Sequence, residues 1–153
     1  MKHLRNLLMI GGLVAGILAG SGAVTQADDQ GVALKGYDPV AYFTEQRPRV
    51  GDPQYQHEWD GATYRFASPK HRDLFKADPD RYLPQYSNLC AVSVAQGVKL
   101  QGNPEYWLVV DGRLYLFGGP KGPGMMRADP VAIKSTADKN WLNVSRLPNP
   151  AQK

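Results

Sequence analysis

Residues 60–79, "DGATYRFASPKHRDLFKADP", can be laid over residues 111–130, "DGRLYLFGGPKGPGMMRADP", at an offset of 51 without a gap, and this pairing decides the fold. Nine of the 20 positions are identical: Asp60/Asp111, Gly61/Gly112, Tyr64/Tyr115, Phe66/Phe117, Pro69/Pro120, Lys70/Lys121, Ala77/Ala128, Asp78/Asp129 and Pro79/Pro130. Leu74 and Phe75 fall on Met125 and Met126, so both positions stay apolar. Turn, aromatic, cap and stop positions kept together are the mark of a repeated structural unit.

Each copy reads as a hairpin followed by a helix. Asp60-Gly61 separates two runs of strand-forming residues, the usual signal of a tight turn, and Asp111-Gly112 repeats it. Ser68 followed by Pro69 is a helix start, and Asp78 before Pro79 ends that helix, because a residue preceding proline is pushed out of helical geometry. In the second copy "SPKHRDLF" becomes "GPKGPGMM". A helix interior loses about 1 kcal/mol to glycine and about 3 kcal/mol to proline. The second helix is therefore expected to be shortened or absent, with Met125 and Met126 filling irregular core space. The same loop lacks the GxxxxGK[ST] order that a phosphate-binding loop needs.

Between the copies lies "SNLCAVSVAQG" (87–97), read as a short helix with Cys90 and Val94 on one face and Gly97 at its end. A thiol early in a helix feels the free N–H groups of the first turn, which favour thiolate over thiol. After the second copy, Asp129-Pro130 opens a last helix running to about Trp141. The expected fold is α+β: two hairpin–helix units flanking a central Cys-bearing helix in one domain over residues 28–147, with a loose tail at 148–153.

At the N-terminus Lys2 and Arg5 precede an apolar run from Leu7 to Leu18 and then "GSGAVTQADDQ" (20–30), the order of a signal peptide over residues 1–27 with cleavage after Ala27. An uncleaved anchor is the alternative. No cysteine follows the run, which argues against a lipoprotein anchor. Of 18 Lys and Arg and 14 Asp and Glu, only Lys2 and Arg5 leave with residues 1–27, so 16 basic face 14 acidic residues, a net of +2. The basic residues form no stripe, so nucleic acid is not the expected partner, and no stable membrane insertion is expected after signal removal.

Cys90 is the only cysteine, so an internal disulfide is impossible. Its residue type leaves open a buried inert thiol, a metal ligand, a redox-active thiol or an intermolecular bridge. No CxxC, HExxH or GxSxG is present. Carboxylates such as Asp38, Asp60, Asp78, Asp111 and Asp129 sit where turns and caps use them, so the reading is non-catalytic. A soft ion such as copper(I) prefers thiolate and thioether, with imidazole also suitable, which makes Cys90, Met125, Met126 and His57 the candidate ligands. His71, in the first turn of an expected helix, reads as a solvated surface residue. A small-molecule or protein-binding module is the other reading, in which the tyrosines and tryptophans line a site.

The segments "ALKGYDPVAYFT" (33–44), "EWDGATYRFAS" (58–68), "ADPDRYLPQY" (77–86), "CAVSVAQG" (90–97) and "DGRLYL" (111–116), in that order, resemble exported bacterial YHS-domain proteins. The resemblance runs from about Ala33 to Trp141. It implies a small heavy-metal-binding module of the periplasm, working in metal handling or tolerance, with a homodimer or a periplasmic protein as candidate partner. Cys90 takes the place of the cysteine in the family's Tyr-Gly-Gly-Tyr-Cys-Ala segment, which here reads "YSNLCA". A second departure is "FGGPKGPGMM", where the family has an Asn-containing helical segment ending in tryptophan.

Overall fold

The computed structural model describes residues 31–149; the signal-peptide reading and the last residues of the tail lie outside the described residues. A 3-10 turn (Ala33–Gly36) leads into α1 (Ala41–Thr44), β1 (Asp52–Trp59), β2 (Ala62–Phe66), α2 (Pro69–Ala77) and α3 (Pro79–Tyr82). Then follow α4 (Ala91–Ala95), β3 (Asn103–Val110), β4 (Arg113–Phe117), α5 (Lys121–Ala128) and α6 (Pro130–Arg146). The fold is mixed α+β, with β1–β2 and β3–β4 forming two separate antiparallel sheets. Among the described residues no helix is long and apolar enough to cross a membrane.

The two halves match well beyond the stretch that the sequence aligns. Asp60 and Gly61 have φ of 48° and 74°, Asp111 and Gly112 have 52° and 72°. Positive φ at both central residues is the turn whose twist suits a two-residue hairpin. Both hairpins carry an irregularity at the same place: Asp52 pairs with Phe66 and Gln56 with Arg65, just as Asn103 pairs with Phe117 and Trp107 with Leu116. Asp78 and Asp129 adopt nearly the same backbone angles before Pro79 and Pro130.

Upstream of each hairpin the correspondence continues, at an offset of 52 as far as Asp38 and Cys90 and of 51 from Arg49 and Leu100 onward. Leu34 and Lys35 are left-handed, and so are Tyr86 and Ser87. The N–H of Tyr37 bonds to Leu34 O, that of Leu89 to Tyr86 O. Asp38 N–H donates to Arg49 O, and Cys90 N–H to Leu100 O, both at 2.8 Å. Gly51 N–H reaches Gly36 O, and Gly102 N–H reaches Asn88 O. Cys90 therefore occupies in the second unit the place that Asp38 holds in the first.

Those two glycines are needed for close approach. A Cβ on Gly51 would lie 2.4 Å from the backbone carbon of Arg65, and one on Gly102 would lie 2.8 Å from Leu116 Cβ. Backbone cannot swing aside as a side chain can, so Gly51→Ala is expected to destabilise by about 1–3 kcal/mol, the range for forced overpacking. Gly119→Ala, where a Cβ meets nothing within 4 Å, is the control. Urea unfolding of the two variants measures the difference; equal midpoints would mean that β1 can peel away from β2 at no cost.

The first unit closes on Val40, Phe66, Phe75 and Tyr82, the second on a larger cluster that includes Cys90, Val94, Phe117, Met126, Ala137 and Val144. Leu34, Tyr42, Leu114 and Leu116 join the halves. There the Tyr42 ring meets that of Trp107 at 5.1 Å in a tilted contact, and its hydroxyl donates to Pro104 O at 3.0 Å. Burial raises the Tyr42 hydroxyl far above the ordinary tyrosine range, so it stays a neutral donor. The second cluster is larger because α6, at 17 residues, continues where α3 stops after four. It packs along α4, and Asn140 Nδ2 caps that short helix by donating to Ala95 O at 2.9 Å.

Three expectations change. The second-unit helix is present: α5 has eight residues against nine in α2. Pro123 is its third residue and Gly122 its second, inside the first turn, where N–H groups have no intrahelical acceptor and a proline removes no bond. Of the two methionines only Met126 enters the core, fully buried like its counterpart Phe75, while Met125 is 44% exposed. His71 is buried rather than solvated, at 8% exposure.

Candidate functional site

The site is best understood from its counterpart in the first unit. The Asp38 carboxylate is fully buried and accepts three hydrogen bonds. Val40 N–H donates to Oδ1 at 2.8 Å, and Ala67 N–H to Oδ2 at 2.8 Å. His71 Nδ1 lies 2.6 Å from Oδ2. His71 reaches this place because Ser68 caps α2, its hydroxyl accepting from His71 N–H at 3.2 Å. The far ring nitrogen, Nε2, is 3.2 Å from Thr44 Oγ1. The same hydroxyl is 3.1 Å from Val40 O, and its single proton serves one of these two acceptors at a time. The chain Asp38–His71–Thr44 thus ties α1, α2 and the end of β2 together as a structural clamp.

In the second unit the same frame carries different chemistry. Cys90 stands for Asp38, Gly118 for Ala67 and Gly122 for His71. Cys90 is the residue immediately before α4, with 5% exposure, and it is a free thiol. A Cβ on Gly122 would come within 2.5 Å of Phe117 Cβ, so α5 sits against β4 too closely for any side chain at that position. With no imidazole projecting from the helix, a pocket of about 310 Å³ opens beside Cys90. Its walls are Cys90, Val92, Leu100, the backbone of Gly118–Gly122 with Lys121, and Met125. Gly118 lies directly against the cysteine, its built Cβ being 3.8 Å from Cys90 Cβ.

The four expected ligand residues separate cleanly. Cys90 and Met125 line one pocket. Met126 belongs to the same buried cluster as Cys90 but points into the core, one residue and about 100° of helix away from Met125. His57 is on β1 in the other unit, its ring 6.4 Å from that of Phe75 in an edge-on contact. The structure does not bring His57 to the cysteine. Among the described residues no group of three or more His, Cys, Asp and Glu converges as a metal site would require. The sequence reading missed the Asp38–His71 clamp and the glycine-lined pocket; the signal for both was the first-unit histidine facing glycine in the second. Compared with family models, curated proteins and solved structures, the chain matches none.

Proposed function

We propose that this protein binds a soft transition-metal ion, copper(I) first, through the Cys90 thiolate and the Met125 thioether, in metal handling or tolerance rather than catalysis. The observation that carries the reading is that a buried thiol and a half-exposed thioether open onto one pocket. Copper(I) favours sulfur donors and accepts few of them, so two such ligands suit it where harder ions would want oxygen or nitrogen. Lys121 adds a positive charge to the pocket wall.

The export reading of residues 1–27 and the YHS resemblance place this activity in the periplasm, and the matched halves read as a duplicated YHS-like unit in which one copy kept a structural clamp and the other became a site. An intermolecular disulfide fits less well, because a thiol with 5% exposure gives an approaching sulfur little access. The test is native mass spectrometry of the reduced protein with one equivalent of copper(I). Wild type is expected to gain one copper; Cys90→Ser is expected to lose that adduct while keeping its circular dichroism spectrum, and Met125→Leu to bind more weakly. Copper retained at full strength by Cys90→Ser would remove the proposal.

A further inference from the structure

We infer that the pocket between the β1–β2 turn and the second unit binds a primary alkylammonium ion, a small amine with an apolar body, on the carboxylate of Asp60. This pocket, of about 410 Å³, shares no lining residue with the one beside Cys90, so the inference is independent of the copper reading. Its walls are residues 31–34 of the first unit, Leu83, Pro84, Ser87 and Asn88 of the second, and the start of β2 with its turn.

The ground is what occupies the matched place in the second unit. Asp60 and Tyr64 correspond to Asp111 and Tyr115, and Leu83, the fourth residue after Pro79, corresponds to Lys134, the fourth after Pro130. Lys134 Nζ makes an ion pair with Asp111 Oδ2, and Tyr86, the counterpart of Leu34, donates its hydroxyl to Asp138 Oδ1 at 2.7 Å. The α6 helix thus lays an alkyl stem ending in an ammonium group against its own hairpin turn. In the first unit α3 ends at Tyr82, and Leu83 after it is extended. With leucine at the lysine position and no helix continuing past it, Asp60 has no ion-pair partner among the described residues, and it lines a pocket instead.

The lining sets the class of ligand. Its polar side chains are Asp60, Tyr64, Ser87 and Asn88, with no Lys or Arg, so the charge it complements is positive. Burial, with the Asp60 charge adding to it, raises the Tyr64 hydroxyl above the ordinary tyrosine range, which keeps it neutral and able to accept from an N–H. Asp60 is exposed, and an exposed ion pair alone contributes little, so the carbon body must contribute as well. Leu34, Leu83 and Pro84 give that body an apolar wall. An amino acid fits worse than an amine, because its carboxylate would meet Asp60 and no cation.

The experiment records backbone amide spectra of the protein while n-hexylamine is added at neutral pH, with n-hexanol and hexanoate as comparisons that keep the chain and remove or reverse the charge. Shifts at Gly61, Ala62, Ser87 and Asn88 are expected with the amine, about threefold tighter than with the alcohol, as an ion pair at an exposed carboxylate allows, and none with hexanoate. Asp60→Asn keeps the hairpin, because Asn-Gly suits this turn as Asp-Gly does, and is expected to bring the amine down to the affinity of the alcohol. Asp111→Asn, which breaks the Lys134 pair in the other unit, is expected to leave amine binding unchanged. No shifts with the amine, equal affinity for amine and alcohol, or an amine affinity that survives Asp60→Asn overturns the inference.

Discussion

Asp38→Ala is expected to lower stability by about 4 kcal/mol, since each buried polar group left without its partner costs about 1–3 kcal/mol. The carboxylate is fully buried and serves Val40 N–H, Ala67 N–H and His71 Nδ1 at once. Alanine would strand two backbone donors and an imidazole in a space too small to hydrate freely. Against a typical domain stability of about 5–15 kcal/mol, such a loss brings the protein close to unfolding at room temperature. Asp38→Asn, which keeps the volume and one oxygen acceptor, should lose clearly less. Urea unfolding followed by tryptophan fluorescence measures both. A loss below about 1 kcal/mol for Asp38→Ala would mean that water replaces the carboxylate, and the clamp would then contribute little to the fold.

The same experiment run at the matched position gives the contrast on which the functional reading depends. Cys90 is buried, yet it lines an open pocket and is followed by no imidazole, so Cys90→Ser should leave the fold intact. A site that can be altered without unfolding the protein is free to be used for binding. If Cys90→Ser unfolded the protein as Asp38→Ala is expected to, the thiol would be a core group and its burial would need no ligand.

Much of the architecture was legible because it is written in residues with narrow backbone roles. Asp-Gly at 60–61 and 111–112 and Asp-Pro at 78–79 and 129–130 each dictate a turn or a helix boundary, and each is found where they place it. The α5 helix was misread because a per-residue propensity takes no account of position: Gly122 and Pro123 would break a helix interior but stand in its first turn. His71 was misread for a related reason. Its burial depends on Asp38, 33 residues earlier, and no local pattern announces that pairing. The equivalence of Asp38 and Cys90 was hidden by a single-residue change of offset, from 52 at Asp38 to 51 by Arg49, combined with complete chemical replacement. Backbone hydrogen bonds reveal it because they record the fold rather than the side chains.

Met126→Ala is expected to cost about 2–5 kcal/mol, and Phe75→Ala at the matched place about 3–5 kcal/mol, the ranges for emptying a filled core position. Both side chains are fully buried, in the clusters that close their respective units. The informative comparison is between the two methionines. Met126→Leu conserves volume and should cost less than about 1.5 kcal/mol; because Met126 points into the core, it should also leave copper binding unchanged. Met125→Leu, on the exposed face of α5, should leave stability almost unaltered and weaken copper binding, since leucine supplies no lone pair. The two adjacent substitutions thus separate packing from ligation within one turn of one helix. The opposite result, copper lost with Met126→Leu and retained with Met125→Leu, would require α5 to rotate on metal binding and would move the site from the pocket to the core.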